Sequence, residues 1–209
     1  MIEAVFFDYD GVLTADKTGS LTTCRYLSRC TGIELPRLMQ AFRIHNHELT
    51  LGRRSHADVW PHICARLGQD VPLGLLVEAF ESTPVNAPMF ALARQLKSCG
   101  CDVGIITDNK SDRMAHLRKL QRLEEIFDPI VVSAEVGCTK QEQAIFRLAL
   151  ARRGTPPDRA LFIDNTEANL VAARALGLYT IFFDDEVNDV AALREQLRSH
   201  WSLPVGMNP

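Results

Sequence analysis

The sequence contains no apolar run approaching the roughly 18 residues that a membrane-spanning helix requires. Its N-terminus lacks a basic region followed by an apolar stretch and a cleavage site, because Asp8 and Asp10 interrupt the first apolar run. Basic residues do not dominate either: the formal charge of −3 gives no electrostatic footprint for nucleic acid. The six cysteines form no CxxC and no paired Cys/His zinc spacing. Cys99 and Cys101 are the closest pair, so free thiols in a reducing compartment are expected. Internal repeats and low-complexity segments are also missing, and only 202–209 reads as a loose tail. These absences lead us to expect a cytoplasmic location, with no membrane and no nucleic-acid partner.

What is present is an ordinary globular composition, 46% hydrophobic and 23% charged over 209 residues. That length holds one large domain, or a domain with a sizeable insertion. The stretch from Ala4 to Thr14 organises the rest. Ala4 to Phe7 reads as a short strand buried on both faces, followed at once by Asp8, Asp10 and a turn-permitting Gly11. In an open parallel sheet, ligands bind beyond the carboxyl ends of the strands, where this pair of carboxylates would sit. One carboxylate can then attack as a nucleophile while the other handles a proton. Asp-x-Asp-Gly is also a common turn sequence. A calcium loop would need Glu at its twelfth position, which counted from Asp8 is Gly19, so that reading fails.

After Thr14 the pattern is helical for about seventy residues. Helices are expected from Leu21 to Cys30, from Leu35 to Leu49 with Gly52 beyond the end, from Ser55 to Gly68, and from Pro72 to Phe80. From Pro88 onward, helices alternate with strands at 102–106, 129–133, 159–163 and 179–183. That alternation predicts an α/β fold, a doubly wound parallel-sheet, Rossmann-like core. The expected division is a core of 1–14 and 86–209 with a small all-helical cap domain at 15–85.

The polar residues gather at predicted strand ends: Asp8 and Asp10, then Thr107 and Asn109, then Asp164 and Asn165. Three carboxylates in one crevice repel unless a cation joins them, and hard oxygen ligands in a small site suggest magnesium. Thr139 to Glu142 reads as a capping box that places Lys140 in the first turn of a helix, where the dipole disfavours a cation. A solvent-facing lysine is the bland alternative; with a phosphate and three carboxylates to balance, a functional one is the better reading.

Asp8-Tyr9-Asp10-Gly11-Val12-Leu13-Thr14, Thr107-Asp108-Asn109, Lys140 and Asp164-Asn165 resemble, in that order, the four motifs of the haloacid dehalogenase-like hydrolases. The helical block after the first motif is similar to that superfamily's smaller, helical cap. Glu48 to Ser55 also looks like the subgroup that holds sugar-phosphate phosphatases and the phosphatase domain of epoxide hydrolases. The resemblance implies a phosphatase acting on a small phosphorylated metabolite, with Asp8 as nucleophile and Asp10 as acid and base. It implies Mg2+ held by the Asp8 and Asp164 carboxylates and the Asp10 main-chain carbonyl. It further implies phosphate contacts from Thr107 and from main-chain N–H groups around Gly11 and Asn109, with Lys140 offsetting charge. Asp10 favours a phosphatase over a 2-haloacid dehalogenase, since a departing halide needs no proton and an alkoxide does. A phosphomutase and a non-catalytic binder of a phosphorylated ligand remain alternatives. The sequence departs from the family pattern at Asn165, where many members carry a second acid, and at Gln141, where proline is usual. In the cap, His47 and Arg53 are the candidate substrate contacts, Arg53 and Arg54 being equally readable as a solvated pair; His45 reads as a core histidine.

Overall fold

The computed structural model describes residues 1–203, 205 and 206. Five parallel strands form one sheet: β1 (Ala4–Phe7), β2 (Asp102–Thr107), β3 (Ile130–Val132), β4 (Ala160–Asp164) and β5 (Tyr179–Phe182), in the order β3-β2-β1-β4-β5. The first strand is therefore the central one, and Phe7 lies in register with Ile105 on one side and Ile163 on the other. This register brings the carboxyl ends of β1, β2 and β4 to one edge, as the strand-end residues required.

The strand side chains alternate between two apolar layers, which explains why β1 is apolar at every position. Val5 and Phe7 belong to a cluster with Met89, Leu117 and Leu193, while Ala4 and Phe6 belong to one with Phe146, Phe162 and Leu170. Helices thus cover both faces of the sheet, and the α/β doubly wound architecture is as read from the pattern.

Between β1 and β2 the chain runs through five helices, α1 (Gly19–Thr31), α2 (Leu35–Arg43), α3 (Asn46–Thr50), α4 (His56–Leu67) and α5 (Gly74–Glu81), then enters α6 (Ala87–Ser98). Helices α1 to α5 enclose a cluster of their own that includes Leu27, Leu38, Trp60, Ile63 and Phe80. The outgoing and returning segments are tied together: Thr14 bridges Val85 antiparallel, and the Ala15 N–H donates to Pro84 O at 2.9 Å. Ser55 closes the expected capping box with Asp58, and Gly68 ends α4 at positive φ, as Gly32 ends α1. The single helix expected from Leu35 to Leu49 is instead two, broken around Ile44 and His45. No proline or glycine marks that break; it turns Leu49 into the insert's core while the chain swings toward β3, where Thr50 O accepts from Ser133 Oγ at 2.8 Å.

The remaining helices are α7 (Ser111–Leu120), α8 (Ser133–Val136), α9 (Gln143–Arg153), α10 (Glu167–Leu176) and α11 (Val190–Trp201). The tail read as loose is partly packed: Leu203 and Val205 are buried in the core, while 204 and 207–209 lie outside the described residues.

Candidate active site

Asp8 follows the last residue of β1, and its N–H donates to Ile163 O at 2.8 Å, so the neighbouring strand fixes its backbone. Gly11 then turns the chain at φ +82, and a Cβ there would lie 2.1 Å from Asn165 Nδ2. Only glycine satisfies both the left-handed backbone and the close approach. Asp8, Asp10, Thr107, Asn109, Lys140 and Asn165 all line one cavity of about 740 Å³ between the sheet edge and the helical insert.

The centre of the site is Lys140, 2% exposed, whose Nζ lies 2.7 Å from Asp8 Oδ2 and 2.7 Å from Asp164 Oδ2. Burial works against its charge, but the two carboxylates overcome that and hold the amine above its ordinary range. Burial raises the Asp8 carboxyl from 3.8 to about 8, with Lys140 opposing the rise and Asp164 adding to it. Asp164 is fully buried; its Oδ1 accepts from Thr166 N at 2.7 Å, and Asn169 Nδ2 lies 3.2 Å from both its oxygens. Lys140 sits in the turn ahead of α9, not in the helix's first turn as expected. Half of the capping box is made, Glu142 Oε1 accepting from Thr139 N at 3.1 Å, but the helix begins only at Gln143. The dipole cost assigned to Lys140 therefore falls away, and Asp108 Oδ1 anchors its main chain at 2.9 Å.

Asp10 carries a partner that sequence reasoning missed. Arg113, in α7, grips it with two parallel bonds, Nη1 to Oδ2 at 2.8 Å and Nη2 to Oδ1 at 2.9 Å, while Asn109 Nδ2 donates to Oδ2 at 2.9 Å. Arg113 is buried, stacks over the Tyr9 ring at 5.7 Å, and reaches Thr83 at the end of the insert. A Cβ on Gly19 would come within 2.3 Å of its guanidinium, so the first residue of α1 must be small. The available signal was spacing: Arg113 lies one helical turn beyond Asn109. His56, from α4, is a second missed residue; its Nδ1 lies 2.9 Å from both Asp112 oxygens, joining insert to core.

Several residues expected to contact substrate are engaged elsewhere or lie outside the cavity lining. The Gly11 N–H donates to Thr14 Oγ1 at 3.1 Å and the Asn109 N–H to Ser133 Oγ at 3.0 Å, so both amides are engaged within the loops. His47 and Arg53 are exposed and outside the cavity lining. Arg54 bonds Asp58 O, and His45 is half-buried against the His62 ring. The insert instead presents Pro36, Met39, Gln40 and Arg43, one face of α2, to the cavity. Asn165 packs against Gly11 and donates to Asp185 at 3.2 Å, which accounts for an amide where an acid was anticipated.

For a divalent cation, the donor set is small. Among the described residues no three acidic, histidine or cysteine side chains gather as a metal cage. Asp8 and Asp164 supply two carboxylates that share one ammonium, while the Asp10 side chain is taken by Arg113. Magnesium characteristically takes one or two carboxylates and completes its shell with water and phosphate oxygens, so the set fits that ion.

The sequence profile of the haloacid dehalogenase-like hydrolases matches residues 2–177. The chain belongs to this family. Among curated proteins, this hydrolase is 32% identical over 139 residues to bifunctional epoxide hydrolase 2 of Rattus norvegicus, a match covering 63% of this chain and 25% of that protein. The chain thus spans about a quarter of that relative's length. It is 27% identical over 206 residues to glyceraldehyde 3-phosphate phosphatase of Methanothermobacter thermautotrophicus, covering 90% of this chain and 88% of that one. In fold, the hydrolase is similar to a HAD family enzyme from Bacteroides thetaiotaomicron solved with magnesium and inorganic phosphate. The TM-score is 0.69 at 20% identity, over 87% of this chain and 94% of that one.

Proposed function

We propose that this hydrolase is a magnesium-dependent phosphatase of small phosphate monoesters, a sugar phosphate or similar metabolite, working through an aspartyl-phosphate on Asp8. The observation that carries the reading is the buried Asp8–Lys140–Asp164 row at the mouth of the central strand, with Asp10 facing the same cavity. Similarity along nearly the full chain to a phosphatase of a small phosphorylated aldehyde supports it.

In this account Asp8 attacks phosphorus, and the ester oxygen leaves with a proton supplied by Asp10. Asp10, then ionised, takes a proton from the water that cleaves the acyl phosphate and restores Asp8. Thr107, buried at the end of β2, contacts the phosphate, and Lys140 offsets the charge of nucleophile and phosphoryl group. Asp8, Asp164 and the Asp10 carbonyl would hold magnesium, which when bound neutralises developing charge on the transferred group. The helices of 15–85 act as a cap over the cavity, admitting substrate and then excluding bulk water.

Phosphate release from a generic aryl phosphate tests the reading. It is expected with magnesium, absent after chelation, and reduced to background in Asp8→Asn. Release that persists without magnesium and in Asp8→Asn contradicts it.

A further inference from the structure

Two cationic side chains in the cavity, Lys110 and Arg43, make no hydrogen bond or ion pair among the described residues. Asp8 and Asp164 share Lys140, and Asp10 is paired with Arg113. Lys110 follows Asn109 directly, lines the same cavity and is partly buried. Its main-chain N–H is taken by Asn109 Oδ1 at 3.0 Å, but its ammonium has no hydrogen-bond or ion-pair partner among the described residues. Desolvation lowers the amine to about 8, with Asp10 opposing and Arg113 adding to the fall, so it remains a cation at neutral pH. Arg43, on the cavity-facing side of α2, likewise has no ion-pair partner among the described residues. A phosphate dianion entering with a divalent cation leaves the local charge unchanged. The Lys110 ammonium would stay without a hydrogen-bonding partner in a complex with a phosphate ester whose organic part is neutral.

Resting on the phosphatase reading of this cavity, we propose that its substrate carries a second anionic group, a carboxylate or a second phosphate, which Lys110 recognises on the organic part. The recognition is a charge-assisted hydrogen bond in a partly desolvated pocket, with Arg43 adding positive potential at the rim. Discrimination then comes from an interaction that neutral phosphate esters cannot make.

The test is calorimetric and needs no turnover. Phosphoglycerate, glycerol bisphosphate and glycerol phosphate are titrated into Asp8→Asn with magnesium, and into the same protein also carrying Lys110→Met or, as a second variant, Lys110→Gln. With Lys110 present, the better of the two doubly anionic probes binds roughly 10- to 100-fold tighter than glycerol phosphate, the range expected for a hydrogen bond to a charged group. Which one does so identifies the second group. In both Lys110 variants that ratio falls toward one. Equal binding of all three probes, binding of none, or an equal loss for all in the Lys110 variants overturns the proposal. The last result would assign Lys110 to the transferred phosphate itself. Turnover of the same esters by wild type is measured separately; its absence would contradict the phosphatase reading while the binding ratio still decides the role of Lys110.

Discussion

At the scale of single residues, the site is a buried row in which one lysine is shared by two acids. Lys140 stands between Asp8 and Asp164 at 2.7 Å from each. Removing it leaves buried Asp8 and Asp164 without their shared cation, a change that typically costs about 3–5 kcal/mol. Lys140→Met is therefore expected to lower the melting temperature sharply in chelator, and magnesium should recover part of the loss. Equal melting of wild type and variant in chelator would contradict this. Asp8 adds a pH dependence. Its carboxyl is raised from 3.8 to about 8, so between those values the folded protein holds a proton that the unfolded chain does not. Its contribution to stability is complete below the lower value and is lost as pH rises through the upper one. A cation requires the ionised carboxylate, so magnesium affinity should climb with pH and level off above about 8. Calorimetry across that window is the check, and an affinity flat in pH contradicts the assignment of Asp8 as a ligand. Much of this row was legible in the sequence, because Asp8, Thr107 and Asp164 each end or follow a strand and topology alone brings strand ends together. Arg113 and Lys110 were not. Their meaning lies in side-chain direction into a cavity whose far wall is a separate part of the chain.

At the scale of elements, the five strands were readable because each is a short apolar run closed by polar or glycine punctuation. The insert was harder. The apolar positions Leu38, Phe42 and Leu49 satisfy one continuous helix, yet the chain breaks between α2 and α3, and tertiary packing decides the break. That break separates the expected substrate contacts from the cavity lining. His47 and Arg53 lie beyond it and outside the cavity, whereas Met39, Gln40 and Arg43 precede it and face the site. Arg43→Ala is accordingly expected to raise KM several-fold with a smaller effect on kcat, and Arg53→Ala to leave both near wild type. Steady-state kinetics on one substrate decides between the two turns; a larger KM effect from Arg53 would restore the original reading.

At the scale of the whole molecule, three apolar clusters divide the labour. Two sandwich the sheet and hold the strand ends rigid, and the third belongs to the helices inserted between β1 and β2. Polar ties between insert and core run from the Thr14–Val85 bridge through Ser133 to Thr50, His56 to Asp112, Arg113 to Thr83, His116 to Glu81 and Lys17 to Asp185 and Glu186. In the proposed reading these ties are the ones that opening of the insert over the site would break. The proposed mechanism has one chemical consequence that can be tested directly, a phosphoryl group carried on Asp8. Asp10→Asn should be mixed with an aryl phosphate and magnesium, quenched within a single turnover, and digested for mass spectrometry. Without the base that activates water, a phosphoryl adduct is predicted to accumulate on the peptide containing Asp8. Stoichiometric phosphate release in wild type with no adduct on that peptide in the variant, and with release retained in Asp8→Asn, would contradict the account.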